Sequence, residues 1–241
     1  MKLALSRAQL IYDLALNAPA FDIATPNAAR TVQAIYGAFS ERFPISLADM
    51  SVINAVRLSE FTTRLQVFGG KISVEFRFDG CRVTCNLLST PDDMQRAAEC
   101  SELAEHVARS LFTSSEIQTT MNKVSAWFRC DGGSAAVLPH LAAYAPARLG
   151  IVPGFQGAQQ VLFNVTGSFE NPEEGWFFKL PIEPSAVNYG DLFVQVEGRY
   201  AGDGKYRKFD EKRAHFSRVY KAALNEFDLE VGDMVSEGQS R

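Results

Sequence analysis

The stretch EFTTRLQVFGGKISVEFRFDGCRVTCNLLS, residues 60–89, decides the fold. Apolar and polar residues alternate through three successive segments of it, which is typical of strands with one buried face. The dipeptides Gly69-Gly70 and Asp79-Gly80 separate these segments, and such dipeptides tolerate the positive φ of two-residue hairpin turns. The stretch therefore predicts a three-stranded antiparallel meander that covers a core with one of its faces.

Further elements are predicted on both sides of this meander. Before it, the alternation over residues 9–18 predicts a strand, and Thr25-Pro26 begins a helix that Pro44 ends. After it, Thr90-Pro91-Asp92-Asp93 has the residue order of a capping box and begins a helix that extends to Phe112. Residues 1–115 are therefore predicted to form a β-α-β-β-β-α unit.

The same order of elements is predicted for residues 116–230. A strand and a short helix come first, and the three strands that follow are predicted at 160–169, 175–183 and 191–200. A helix over 210–228 closes this second unit, and residues 231–241 are predicted to be a frayed C-terminal tail. We expect an α+β fold of tandem β-α-β-β-β-α units, in which antiparallel meanders carry helices packed on one face of the sheet.

Composition and charge limit the class of protein. The chain has 241 residues, of which 46% are hydrophobic and 22% are charged, and its net charge is −4. These values are typical of a globular protein and argue against a generally basic nucleic-acid binder. Arg7 and Asp13 interrupt the apolar N-terminus before it reaches the length of a signal peptide, and no apolar run is long enough to span a membrane. We expect a cytoplasmic protein without a membrane partner.

Neither a catalytic site nor a metal site is predicted. The four cysteines fall on apolar faces, and Cys81 and Cys85 of one strand would lie about 13 Å apart, which is too far for a disulfide. The three histidines have no carboxylate or nucleophile at the spacing of a triad or of metal ligands. We therefore expect no cofactor and no enzymatic activity. A pocket between the two halves with converging His, Asp or Arg side chains would favour an enzyme instead.

The chain resembles a sporadically distributed family of bacterial proteins of similar length and unknown function. The resemblance rests on the order of elements, the first helix ending at Phe43-Pro44, the alternating meander, the capped helix over 92–112 and the Phe-rich last helix. At the level of the fold alone, the repeated unit also resembles the repeat of TATA-binding proteins. Neither resemblance implies site residues for this chain.

Residues 199–221, RYAGDGKYRKFDEKRAHFSRVYK, are the most basic part of the chain. Eight basic and three acidic residues give this stretch a charge of +5, which leaves −9 for the remainder of the chain. Cations with aromatic rings between them suit a phosphate backbone with unpaired bases. The candidate polyanion-binding residues are Arg199, Lys205, Tyr206, Arg207, Lys208, Lys212 and Arg213. The alternative is an ordinary solvated loop and helix.

Two large apolar rings are predicted on the polar sides of the later strands. Phe177 and Phe193 occupy positions at which the first meander has charged side chains, and Lys179 lies beside them. This pattern indicates that the sheet face is covered, either by a partner subunit or by another part of the same chain, and a ligand or nucleic acid that stacks on the sheet is the alternative. We therefore predict a non-enzymatic binding or assembly protein that acts through its sheet surface and edges in a bacterial oligomer or complex. Its partner would be itself or another protein. The alternative is nucleic-acid or nucleotide binding through the basic aromatic loop 199–213.

Overall fold

The computed structural model describes residues 2–23, 28–53, 61–88, 90–143, 165–187 and 190–231. Within these ranges the chain forms a large, almost wholly antiparallel sheet accompanied by four α-helices, which is an α+β fold. None of the helices described is long and apolar enough to cross a membrane.

The described residues contain ten strands. They are β1 (Lys2–Leu16), β2 (Met50–Ile53), β3 (Thr62–Val67), β4 (Ile72–Arg77), β5 (Gly80–Leu88), β6 (Ile117–Cys130), β7 (Val165–Asn171), β8 (Trp176–Pro184), β9 (Leu192–Ala201) and β10 (Glu230–Val231). The α-helices in the same ranges are α1 (Ala28–Ser40), α2 (Pro91–Leu111), α3 (Ser134–Ala142) and α4 (Phe209–Glu226). Two short 3-10 helices lie at Phe21–Ile23 and Leu47–Asp49.

The strands form one continuous sheet in the order β2-β3-β4-β5-β1-β6-β9-β8-β7. The two longest strands, β1 and β6, pair antiparallel near the centre. The predicted meander of β3, β4 and β5 extends from β1, while β9, β8 and β7 extend from β6. Strand β10 pairs in parallel with the beginning of β1. Early and late parts of the chain therefore share a single sheet.

The core lies between the sheet and the helices. In α2, Ala97, Cys100 and Ala104 are fully buried, as the helical period of the sequence predicts. In α4, Phe216 packs against Phe178 of β8 with ring centroids 5.9 Å apart. Removal of these apolar side chains from water is the main force that holds the two layers together.

The predicted start of α2 is confirmed. The Thr90 side chain accepts a hydrogen bond from the Asp93 N–H at 3.1 Å, and the Asp93 carboxylate accepts one from the Thr90 N–H at 3.2 Å. This reciprocal pair satisfies backbone donors that the helix itself cannot. The predicted start of α1 at Thr25-Pro26 lies outside the described residues, and α1 ends at Ser40, before Pro44.

Strand β1 begins earlier than the predicted segment 9–18. Its register shifts between Leu5 and Arg7 against β6, and between Ala8 and Leu10 against β5. Such irregularities shift the alternation of side chains between the two faces, so the period-2 pattern does not extend through the first residues of the strand. The sequence also does not predict β2, because four mostly exposed residues carry no clear period.

The bounds of strand β7 also differ from the predicted range 160–169. The structure describes it from Val165 to Asn171, beyond the predicted end at residue 169, while residues 160–164 of the prediction lie outside the described part of the chain. At the C-terminus, β10 includes the first residue of the predicted tail, and residues 232–241 also lie outside that part.

The second hairpin turn is displaced by one residue from the prediction. Arg77 pairs with Gly80, so Phe78 and Asp79 form the turn and Gly80 begins β5. Gly80 has a φ of +147°, and a Cβ added there would lie 1.7 Å from the carbonyl oxygen of Leu14 in β1. Close approach of β1 therefore requires glycine at this position, and a local sequence pattern does not reveal that approach.

Replacement of Gly80 by alanine is expected to lower the free energy of unfolding by about 3 kcal/mol or more, because the clash is with backbone atoms of a central strand. Gly69→Ala is the matched control. Gly69 also has a positive φ, of +65°, but nothing lies within 4 Å of an added Cβ, so a loss of about 1 kcal/mol is expected. Urea denaturation measures both variants, and equal losses would contradict a special role of the approach to β1.

Candidate functional site

One face of the sheet, which we call the open face, has no described helix packed against it. Phe178 of β8 points to the opposite side, where it contacts α4. Its neighbours Phe177 and Lys179 therefore lie on the open face, as does Phe193, which pairs with Glu183 of β8. The structure thus brings the three candidate interface residues onto one surface.

A row of charged side chains crosses one half of the open face. Arg64, Glu75, Arg82 and Asp13 follow one another on the adjacent strands β3, β4, β5 and β1. The Arg64 guanidinium lies 2.8 Å from the Glu75 carboxylate, and Arg82 Nε donates to Asp13 at 3.1 Å. Arg77 lies 3.4 Å from the same Asp13 carboxylate. The charges are thus paired along the row, and this half of the face presents both signs.

An aromatic and cationic cluster, formed by Arg7, Trp127 and Phe193, lies on the open face over the central strands. Trp127 of β6 and Phe193 of β9 are direct neighbours, with ring centroids 5.1 Å apart. The Arg7 guanidinium of β1 lies over the Trp127 ring, 4.1 Å from its centroid. All three side chains are partly buried, and Arg7 Nε has no hydrogen-bond partner among the described residues. Trp, Phe and Arg are residue types that are enriched at protein interfaces.

Sequence reasoning identified only part of this cluster. Trp127 shows the same signal as Phe193, a large ring on the polar side of a predicted strand, and this signal was missed. Arg7 shows no such signal. Its register with Trp127 follows the irregularity between Leu5 and Arg7, which only the paired strands reveal.

Two tyrosine rings of the basic stretch pack against other side chains of the protein. Tyr206 stacks on His215 with ring centroids 4.3 Å apart and ring planes 9° apart, and Tyr200 is fully buried beside them. Lys205 forms an ion pair with Glu174 in the turn before β8. These tyrosines therefore do not present free rings on which bases could stack.

The remaining cations of this stretch are distributed over several surfaces. Arg199 lies on the open face and forms an ion pair with Glu197 at 2.7 Å. The exposed Arg207 guanidinium donates to two backbone carbonyls of its own loop at 3.4 Å. Lys208 and Arg213 are exposed, and neither forms an ion pair with a described residue.

Lys212, which the sequence grouped with the polyanion-binding residues, lies in the core. Only 2% of its surface is exposed, and its Nζ donates to Glu105 Oε2 of α2 at 2.8 Å. Lysine in a basic stretch is normally solvated. Here the side of α4 that faces α2 carries Lys212 inward, so this residue cannot contact a polyanion at the surface.

Glu105 is the centre of a buried charge cluster that joins α2, α4 and β1. Besides the Lys212 ammonium, its carboxylate accepts a hydrogen bond from the Tyr12 hydroxyl of β1. Arg109, one turn further along α2, donates twice to Glu105 Oε1, at 2.6 and 3.1 Å. The carboxylate therefore has donors for both oxygens, which compensates the cost of burying its charge.

The environment of this cluster sets its ionisation. Burial alone would raise the pKa of Glu105, but the charge and hydrogen bond of Lys212, together with the hydrogen bonds of Tyr12 and Arg109, outweigh that effect and hold the pKa below its ordinary value. Burial lowers the pKa of Lys212, and the Glu105 carboxylate opposes this shift. Burial, followed by the charge of Glu105, raises the pKa of Tyr12 well above its usual range. The carboxylate is thus ionised and the phenol neutral at pH 7.

The cysteines and His140 do not form a catalytic or metal-binding cluster with other described residues. Across the described ranges, no three His, Cys, Asp or Glu side chains cluster as metal ligands. The four cysteines are buried and unpaired, as predicted. Burial raises the pKa of Cys100 to about 12 and that of Cys130 to about 11, so these thiols are protonated at neutral pH. His140 Nε2 lies 2.7 Å from the Phe227 carbonyl oxygen and connects α3 to the end of α4.

A polar cavity of about 810 Å³ lies beside the ends of α2 and β6. Arg109, Glu116, Asp203 and Arg207 line it, so it contains charges of both signs. Neither histidine nor cysteine is found among its described lining residues. The arrangement offers cations to an anion but provides no nucleophile paired with a base.

No protein-family model and no curated protein sequence matches the chain. Among solved structures, the chain is similar to that of "Methanococcus jannaschii TBP", with 10% sequence identity and a TM-score of 0.26. The match covers 95% of this chain and 99% of that one.

Replacement of Glu105 by glutamine is expected to lower the free energy of unfolding by about 3 to 5 kcal/mol, because the Lys212 ammonium would remain buried without its counter-charge. Lys212→Met is expected to lower the free energy of unfolding by a smaller amount. In that variant Glu105 keeps its hydrogen bonds from Tyr12 and Arg109. Urea denaturation at pH 7 measures both losses.

The matched control for this experiment is Glu75→Gln. Glu75 also accepts from an arginine, but the side chains of Arg64 and Glu75 are 39% and 22% exposed. A partly solvated pair of this kind contributes about 1 kcal/mol or less. If Glu105→Gln cost no more than this control, the buried cluster would not hold the helices to the sheet.

Proposed function

We propose that the protein is a non-enzymatic binding protein that uses the open face of its sheet to associate with a protein partner, in the first instance a second copy of itself. The observation that supports this proposal is the cluster of Arg7, Trp127 and Phe193. A tryptophan and an arginine that are only partly buried in the single chain can bury more surface against a partner. Such side chains near the centre of an interface contribute most of the binding energy.

The charges around this cluster favour a protein over a nucleic acid. Arg64, Arg82 and Arg199 of the open face are already paired with carboxylates of the same face. A phosphate backbone would have to compete with those carboxylates, whereas a protein partner can match both signs. An aromatic centre surrounded by polar and charged side chains is the usual arrangement of a protein interface.

The alternating row also suits a second copy of the chain. In a two-fold symmetric contact the same patch meets itself, so the patch must be self-complementary. Arg64, Glu75, Arg82 and Asp13 alternate in sign, so a two-fold axis that crosses the row between β4 and β5 places each cation opposite a carboxylate of the second copy. A purely basic surface would repel its own copy.

The tandem organisation of the chain, with units 1–115 and 116–230, is part of this proposal. The central pairing of β1 with β6 supports it, because four strands extend outward from β1 and three from β6. The two outermost strands in this order, β2 and β7, are edges through which further chains could pair.

The test is native mass spectrometry and sedimentation over a range of concentrations. We expect a species of twice 26.6 kDa, and we expect Trp127→Ala or Phe193→Ala to raise its dissociation constant at least about 10-fold. Phe169→Ala is the matched control, because its ring is 57% exposed but shares the helix-side face with Phe178. A chain that stays monomeric at high concentration, or a Phe169 variant that weakens the dimer equally, would contradict the proposal.

Nucleic-acid binding through loop 199–213 is the second candidate, and the exposed cations Arg207, Lys208 and Arg213 favour it. A single-stranded oligonucleotide should then bind with an affinity that falls steeply as salt is raised. The triple change of Lys205, Arg207 and Lys208 to alanine should reduce both this affinity and the salt dependence. Fluorescence anisotropy measures the binding. Affinity that is unchanged in the triple variant would exclude the loop as the site, while the dimer measurement would be unaffected.

A further inference from the structure

A cavity of about 530 Å³ lies between α2 and α4, on the side of the sheet opposite the open face. Its floor is formed by β1 and β6, the strands that pair near the centre of the sheet, and its walls by the two helices. This volume is within the range of sites that hold small organic ligands. The cavity is separate from the surface proposed above for the protein partner.

The buried cluster of Glu105 adjoins this cavity between the two helices. The long side chains of Glu105 in α2 and Lys212 in α4 meet in an ion pair. Each of these two residues is close along the chain to a residue that lines the cavity. Arg213, which follows Lys212, lines the cavity, as does Ser101, one turn before Glu105. The ion pair thus fixes the helices at one end of the gap, and the gap itself is not filled by any described side chain.

Most of the cavity lining is apolar. Leu10 and Val124 contribute from the floor, Met94 from α2, and Phe209 and Tyr220 from α4. Surfaces of this kind favour a hydrocarbon chain or ring, because contact with it removes apolar area from water. An apolar ligand body therefore fits the main part of the cavity.

Two polar groups in the lining restrict the ligand further. Arg213 is exposed and forms no ion pair with a described residue, so it stands where the cavity meets solvent. Asn122 of the floor has a buried amide nitrogen without a hydrogen-bond partner in the described part of the chain. Both groups are donors, and an unpaired buried donor is unfavourable. The cavity therefore combines a mostly apolar lining with a guanidinium at its mouth and an unpaired amide nitrogen in its floor.

We propose that this cavity binds a small amphipathic carboxylate, with its hydrocarbon portion between the helices and its carboxylate paired with the Arg213 guanidinium. Arginine matches a carboxylate with two parallel hydrogen bonds, which selects this head group over a neutral or cationic one. The association is non-covalent, and no bond of the ligand is broken.

The test uses decanoate as probe, decylamine as a probe of opposite charge, and isothermal titration calorimetry on the full chain. We expect decanoate to bind at least 10-fold more tightly than decylamine. Arg213→Gln should remove this preference, whereas Arg218→Gln, an exposed arginine of α4 outside the cavity, should retain it. A preference that persists in the Arg213 variant would overturn the assignment of the head group.

Filling the cavity tests the site of the hydrocarbon portion. Ala98→Phe on α2 places a ring in the gap and should abolish binding of both probes, and Ala222→Phe on an exposed position of α4 should not. Thermal unfolding confirms that each variant is folded. Should Ala98→Phe not fold, Ala126→Leu in the floor gives the same test. Absence of any decanoate binding to the unchanged chain would overturn the proposal.

Discussion

The antiparallel pairing of β1 with β6 is the constraint on which the rest of the structure depends. The side chains of consecutive residues in β1 point to opposite faces of the sheet, because side chains alternate along a strand. Tyr12 donates to the buried Glu105 on the helix side, while Asp13 accepts from Arg82 on the open face. One central strand therefore carries both the buried charge cluster and the surface charge row, and its position relative to β6 determines where each of them lies.

The Glu105 cluster shows how a buried charge can position helices. A carboxylate in the core is favourable only when donors surround it, and here they come from β1, α2 and α4. Hydrogen bonds are directional, and those of the cluster connect α4 to α2 and to β1 of the sheet at one place. Tyr206 stacks on His215 of α4, and the cavity lies between the two helices. The cluster therefore lies close to both the stacked Tyr206 and His215 of the basic stretch and the cavity between the helices.

The two sides of the sheet offer different chemistry. The helix side encloses an apolar cavity with Arg213 at its mouth, which suits a small ligand. The open face presents Trp127 and Phe193 among charges of both signs, which suits a macromolecule. Strands β1 and β6 line both regions, so a ligand on one side contacts the same backbone as a partner on the other.

Local features were determined by the sequence: the period-2 meander, the Thr90 capping box, the burial of Cys81 and Cys85, and the rings at Phe177 and Phe193. Each depends on neighbours within a few positions, so propensity and period suffice to predict it. Only the tertiary structure decided the burial of Lys212, whose partner Glu105 is 107 residues away, and the need for glycine at position 80. It also decided that Arg7 meets Trp127, because strand irregularities and long-range pairing set which face a side chain occupies, and neither leaves a periodic trace in the sequence.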